Sequence, residues 1–350
     1  MDSGVGERAR QGRKFGPAAA EYERGRPGYP AAALDLAATA LALDPTATVV
    51  DLGAGTGKLT RLLAARFARV VAVEPLPEMR SEMQEQLTAA GLPQVEVRPG
   101  TAERLPLAAG EARAVFVAEA FHWFDGPAAL AEAARVLTPE LGLQPAGEVG
   151  RGIVLLWNIP TGGWDPPLPE LVRALVRDAV SRGGEPGGSL LVRGRWREAF
   201  TGSPFGPLRH GQAGHELVRD RDGVIAQAMS ISSIAGLPEA ERAALRTRLR
   251  ELLPEARYRR PLRAELYWAR LAPWCDRCGE ALAGGADHTG CAAARALEPP
   301  RYCRHCRRRM KVQVLPAGWL ASCVAHGPVL PPAAADPPDP PDQPRSATGR

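Results

Sequence analysis

The chain has 350 residues, 45% of them hydrophobic and 24% charged, and a formal net charge of +5. That length and apolar content exclude a single small module and fit about two domains with at least one large core. The charge fraction excludes wholesale disorder, and no run approaches the roughly eighteen apolar residues of a membrane-spanning helix. The first thirty residues scatter Arg, Glu and Lys without an apolar signal core, so a cytoplasmic location is expected.

Residues 1–12 lack apolar anchors and are expected to be disordered. A helix is predicted where Leu34, Ala38 and Leu41 share a face. Thr48 to Asp51 then reads as a first strand, followed by a helical stripe of Leu59, Leu62, Leu63, Arg66 and Phe67. Val70 to Glu74 is a second strand, with Met79, Met83, Leu87 and Ala90 on the helix after it. Val95 to Val97, Ala114 to Ala118 and Ile153 to Trp157 supply three more strands, and Pro127 to Leu137 a helix before the last. Continuous apolar strands alternating with helices predict a parallel sheet covered on both faces, an α/β doubly wound architecture. An irregular section containing Trp164, Pro166, Pro167 and Trp196 is expected to cover a substrate site, with His210 and His215 in a later strand. This unit is assigned to residues 13–271, a Cys/His module to 272–328 and a Pro-rich disordered tail to 329–350.

The strongest local motif is Asp51-Leu52-Gly53-Ala54-Gly55-Thr56-Gly57, between the first strand and its helix. A doubly wound sheet binds its cofactor at such a junction, and glycines let the backbone approach a ligand closely. The dinucleotide fingerprint G-x-G-x-x-G would need glycine where Lys58 stands. Glu74, about twenty residues on, ends the second strand where a carboxylate can accept hydrogen bonds from ribose hydroxyls.

These residues resemble the class I S-adenosylmethionine-dependent methyltransferases. So do Gly100-Thr101-Ala102-Glu103-Arg104-Leu105-Pro106 and Ala120-Phe121-His122-Trp123-Phe124. The resemblance runs from about Phe15 to Leu271 and includes Tyr22, Arg26, Pro27, Tyr29 and Pro30. It implies a Rossmann-like seven-stranded sheet whose last strands are antiparallel. It also implies S-adenosylmethionine as cofactor, with Asp51, Gly53, Gly55 and Gly57 bordering the methionine part, Glu74 the ribose, and Thr101, Ala102 and Glu103 the adenine. The chain departs from the family at Thr101, where many members carry Asp, and at Arg113, where an acid often opens strand four.

Methyl transfer from a sulfonium is an in-line displacement, so positioning supplies much of the rate and no triad is required. Tyr22 and Arg26 are suited to holding a carboxylate. His122 is the candidate catalytic residue, able to deprotonate an acceptor or to orient neighbours. Nothing in the sequence identifies the small-molecule acceptor.

All six cysteines lie between residues 275 and 323, together with eight basic residues against four acidic ones from Ala272 to Pro328. In a reduced compartment this favours metal over disulfides. Cys275-x-x-Cys278, His288-x-x-Cys291, Cys303-x-x-Cys306 and Cys323-x-x-His326 supply eight donors, enough for two tetrahedral sites. The simplest pairing puts Cys275, Cys278, His288 and Cys291 in one and Cys303, Cys306, Cys323 and His326 in the other, with His305 a spare donor. Two zinc ions suit such sets, with an iron–sulfur cluster as the alternative.

The stretch from Trp274 to Pro328 also resembles the small actinobacterial biotin synthase auxiliary proteins. It does so through Cys275-Asp276-Arg277-Cys278-Gly279, Leu297 to Cys303, Cys306 to Met310, Val312-Gln313-Val314, Gly318-Trp319 and Cys323 to Gly327. The resemblance implies biotin synthase as a partner. It leaves two further readings: an auxiliary protein whose larger domain is secondary, or a metal finger delivering a methyltransferase to nucleic acid. The latter is disfavoured because thiolates offset the basic cluster. No membrane association is expected.

Overall fold

A computed structural model of the chain describes residues 19–138, 150–183, 194–272, 274–280, 282, 287–294, 298–304, 307–315, 318–324 and 327–329. It divides into two compact units, Met1–Pro273 and Trp274–Arg350. The expectations for residues 1–12, Phe15, His305, Cys306, His326 and the tail beyond Val329 concern positions outside the described residues. No helix among the described residues is long and apolar enough to cross a membrane.

The larger unit opens with helices α1 (Ala19–Gly25) and α2 (Ala31–Leu41), then β1 (Thr48–Leu52), α3 (Lys58–Ala64), β2 (Arg69–Val73), α4 (Pro77–Ala89), β3 (Val95–Arg98) and β4 (Ala114–Ala118). A 3-10 turn at Phe121–Trp123 leads to α5 (Gly126–Leu137), β5 (Gly152–Pro160) and α6 (Glu170–Gly183). A second 3-10 segment, Arg195–Phe200, precedes β6 (Arg209–Arg219), α7 (Arg221–Met229), α8 (Ser232–Ala235), α9 (Glu239–Leu252) and β7 (Tyr258–Arg270).

The seven strands lie in the order β3-β2-β1-β4-β5-β7-β6. The first five are parallel, and β7 runs antiparallel to both β5 and β6. This is the doubly wound sheet expected from the sequence. Successive apolar residues serve opposite faces. Val50, Val71, Val115 and Leu155 pack with α5 on one side, while Val49, Val70, Phe116 and Val154 pack with α2 and α3 on the other. The helix after β1 ends at Ala64, earlier than its apolar stripe suggested. Phe67 is still buried through a closing turn onto the Leu63 carbonyl, whereas Arg66 is exposed.

The section after β5 corrects the sequence reading. It holds a fourteen-residue helix, α6, and Trp196 packs in the sheet core against Trp157, Phe121 and Tyr267. Val172 and Ala179 of α6 join Val224, Ile225, Leu245, Leu249 and Tyr258 in a separate apolar cluster. Helices α6 to α9 therefore form a helical cap with its own core.

In the smaller unit a short helix α10 (Thr289–Ala294) carries Cys291, and β8 (Lys311–Leu315), β9 (Gly318–Cys323) and β10 (Gly327–Val329) form an antiparallel sheet with β9 central.

Candidate functional sites

Chain order reverses between β1 and β4, so the loops leaving their C-terminal ends diverge and open a crevice at that edge of the sheet. Gly53, Gly55 and Gly57 all have positive φ, of 69°, 57° and 81°. A Cβ on Gly57 would lie 2.6 Å from Met83 Cγ, and one on Gly53 2.8 Å from Ala120 Cβ. At Gly55 the nearest atom to such a Cβ is Tyr22 Cε1 at 3.8 Å, an ordinary van der Waals contact, so Tyr22 of the opening segment packs over this side of the loop. The Gly55 N–H donates to Glu74 Oε2 at 2.9 Å, and Leu76 N–H to Glu74 Oε1 at 3.0 Å. Each carboxylate oxygen keeps acceptor capacity for a further donor. Burial raises the Glu74 pKa against the pull of these two N–H groups.

Asp51 sits differently from the other motif residues. Its carboxylate is buried beneath the loop, where Oδ2 accepts from Thr60 Oγ1 at 2.6 Å, and burial pushes its pKa up to about 7. Thr101 and Glu103 are exposed and Ala102 buried in the turn after β3, with Glu103 Oε1 accepting Asp125 N–H at 3.1 Å. Glu74 N–H donates to the Arg98 carbonyl, which brings the end of β2 beside the strand that leads into this turn.

The opening segment folds over the glycine loop through a residue the sequence did not signal. Glu23 of α1 accepts from Thr56 Oγ1 at 2.6 Å and Arg61 Nη2 at 2.7 Å, with Lys58 Nζ at 3.2 Å. Gly25 makes the approach of α1 possible on its other side, since a Cβ there would lie 2.3 Å from Gln227 N in α7. Arg26 places its guanidinium 5.4 Å from the Tyr22 ring centroid and donates to the Ser230 carbonyl at 2.9 Å. Burial raises the Tyr22 pKa.

Glu119, at the end of β4, was also missed. It is not glycine, yet its φ is +54°, a conformation most side chains avoid and one that concentrates at functional sites. Its Oε1 accepts the Asn158 N–H at 2.7 Å, and burial raises its pKa despite the nearby Arg26. Asn158 in turn meets His215 Nε2 at 2.8 Å through Oδ1 and donates to the Gly28 carbonyl at 3.1 Å, tying β5, β6 and the opening segment together. A strained acid outside any motif leaves no periodic trace in a sequence. His122 is buried against Trp123, and burial followed by the charge of Arg26 brings its pKa down to about 4.

In the smaller unit the ligand atoms of Cys275, Cys278, His288 and Cys291 all lie within 4.8 Å of one another. Burial opposes ionisation of Cys275, but the N–H groups of Cys278 and Arg277 and the neighbouring thiols outweigh it and bring it down to about 6. Burial and the other two sulfurs push Cys291 up to about 11. The backbone at Cys275 forms a defined turn: Cys275 N–H donates to the Glu280 carbonyl, Gly279 N–H donates to the Cys275 carbonyl, and Gly279 has φ +78°. Cys303 repeats it. Its N–H donates to the Arg308 carbonyl, Arg307 N–H donates to its carbonyl, and Arg307, in the place of Gly279, has φ +61°.

Comparison with known proteins places both units. The family described as "Methyltransferase domain" matches residues 49–140. A methyltransferase-like protein of Schizosaccharomyces pombe is 30% identical over 236 residues, which cover 67% of this chain and 83% of that protein. The chain belongs to the methyltransferase family. A methyltransferase of Mycobacterium tuberculosis is 44% identical over 172 residues, 48% of this chain, and the match spans 63% of that relative's length. This member of the family carries a second segment at the C-terminal side of the matched region. The biotin synthase auxiliary protein family matches residues 310–333, and such a protein of Mycobacterium tuberculosis is 58% identical over 41 residues, 12% of this chain and 52% of that one.

Proposed function

We propose that the larger unit transfers a methyl group from S-adenosylmethionine to a small-molecule acceptor. The observation that carries this reading is the positive-φ glycine turn at Gly53, Gly55 and Gly57, tied by the Gly55 N–H to the buried carboxylate of Glu74 at the switch point of the sheet. When bound, the cofactor supplies an electrophilic methyl group on a cationic sulfur. Glu74 accepts from the ribose hydroxyls with its remaining lone pairs, and Thr101, Ala102 and Glu103 border the adenine. Gly53, Gly55 and Gly57 clear the methionine part above Asp51, and Tyr22 and Arg26 hold its carboxylate. Glu119 takes the acceptor's proton. Its raised pKa brings it nearer to working pH than His122, whose value of about 4 makes a weaker base. His122 then orients the aromatic loop. Titration calorimetry checks the cofactor site: Glu74→Ala and Gly55→Val each weaken S-adenosylmethionine binding more than tenfold, and unchanged affinity in both sinks the reading. Glu119→Gln lowers kcat by about 100-fold or more, whereas His122→Gln lowers it only a few-fold.

The smaller unit is proposed to bind metal at Cys275, Cys278, His288 and Cys291 and at a second site containing Cys303, Cys306, Cys323 and His326, and to act with biotin synthase. Zinc suits both sets. The repeated turn geometry at Cys275 and Cys303 supports two sites, and the family likeness of residues 310–333 supports the partner.

A further inference from the structure

The helical cap bears a half-open cavity of about 430 Å³ whose walls come from α6, α7, α9, the loop before α6, Arg260 of β7 and Arg26 of the opening segment. Its lining is mainly apolar, including Leu168, Val172, Ile225 and Leu249. Four arginines reach it, and they fall into two kinds. Arg173 and Arg177 are neutralised by Glu170 and are more than half exposed. Arg260 is half-buried, donates to the Gly162 carbonyl, lies 5.6 Å from the Trp164 ring centroid and has no carboxylate within ion-pair reach among the described residues. Arg26 donates to a carbonyl, lies over the Tyr22 ring and has Glu119 nearby. Two wall atoms, Arg26 Nε and Gln227 Oε1, are buried without a hydrogen-bond partner among the described residues. Arg260 therefore brings to the wall of an apolar cavity a guanidinium with no carboxylate partner among the described residues. Burial disfavours the charge on Arg260, and an anionic ligand group would offset that cost.

We infer that this cavity is the acceptor site and that it takes an apolar molecule bearing one carboxylate, its body among the cap side chains and its charge at Arg260. The inference rests on the methyl-transfer reading. Arg26 lines the cavity and lies 5.4 Å from the Tyr22 ring centroid, and Tyr22 Cε1 stands 3.8 Å from where a Gly55 Cβ would be, so Arg26 joins the cavity to the proposed cofactor crevice. At interior packing density the cavity holds on the order of fifteen non-hydrogen atoms, enough for a ten-carbon acid.

Calorimetry on the full chain with decanoate and decanol as probes tests it. Decanoate binds one per chain and more tightly than decanol. Arg260→Gln weakens decanoate about tenfold and leaves decanol unchanged, and Val176→Trp, which fills the cavity, abolishes both. S-adenosylhomocysteine affinity is unaltered in both variants, which reports that they are folded. Equal binding of acid and alcohol, indifference to Arg260→Gln, or no binding of either probe to a chain that binds S-adenosylhomocysteine overturns the inference. A chain that binds decanoate as described but no S-adenosylhomocysteine instead overturns the cofactor reading and leaves the cavity's ligand class standing.

Discussion

Two buried titratable side chains near the crevice carry opposite electrostatic costs. Asp51 is raised from 3.8 to about 7, so between those values the folded chain holds a proton that the unfolded chain has lost, and its contribution to stability falls as pH rises from about 4 to 7. His122 is lowered from 6.5 to about 4, so across that window the unfolded chain binds the extra proton, and its contribution rises with pH. The two slopes oppose each other in the native protein. Asp51→Asn should therefore expose a melting temperature that climbs from pH 4 to 6.5, and His122→Gln one that declines from pH 4 to 7. Thermal unfolding at half-unit pH steps checks this, and parallel profiles for both variants and the native chain would remove the assignment. The glycine loop and Glu74 were legible because they depend on local backbone geometry and a fixed spacing along the chain. Glu119 was not, since its left-handed backbone and its bond to Asn158 arise from contacts between strands.

Among the elements, the parallel part of the sheet was legible because β1, β2, β4 and β5 are apolar on both faces and helices follow β1, β2 and β4. The cap was less so, although Val172, Leu175, Val176 and Ala179 hold helical spacing along α6. The Pro- and Trp-rich run before them hid that signal. Helix α1 depends on two distant attachments, the ion-pair cluster at Glu23 and the close contact at Gly25. Glu23→Ala would leave Lys58 and Arg61 partly buried without their carboxylate, at a cost of about 1–3 kcal/mol. Gly25→Ala must push α1 away from the backbone of α7, a comparable cost of about 1–3 kcal/mol. Both variants should speed hydrogen exchange across Ala19–Gly25 and weaken S-adenosylmethionine binding while leaving protection of β1 and β4 intact. Unchanged exchange in α1 would show that neither attachment holds it.

At the scale of the whole molecule the two units draw on different sources of stability. The larger has buried apolar layers on both faces of its sheet. The smaller exposes Val312, Val314, Leu320 and Val329 on its short strands and keeps Cys275, Cys303 and Cys323 among its buried residues. A segment of that size with its apolar strand residues outward has little core to fold on, so bound metal should contribute most of its folding free energy. The positive φ at Arg307 points the same way: a non-glycine residue is held in an unfavourable conformation where its counterpart is Gly279. A chelator strong enough to strip zinc should therefore abolish ordered signals from residues 274–329 and leave the melting of the larger unit unmoved. Cys275→Ser should remove about half of the metal, and Cys303→Ser the other half, if each turn anchors its own ion. Elemental analysis with protein-observed spectra checks both. Should the metal-free chain keep dispersed signals from β8 and β9, the smaller unit folds without metal and the ligand assignment fails. Arg307→Gly, which relieves the backbone without touching a ligand, should raise the chelator concentration needed for half loss of structure.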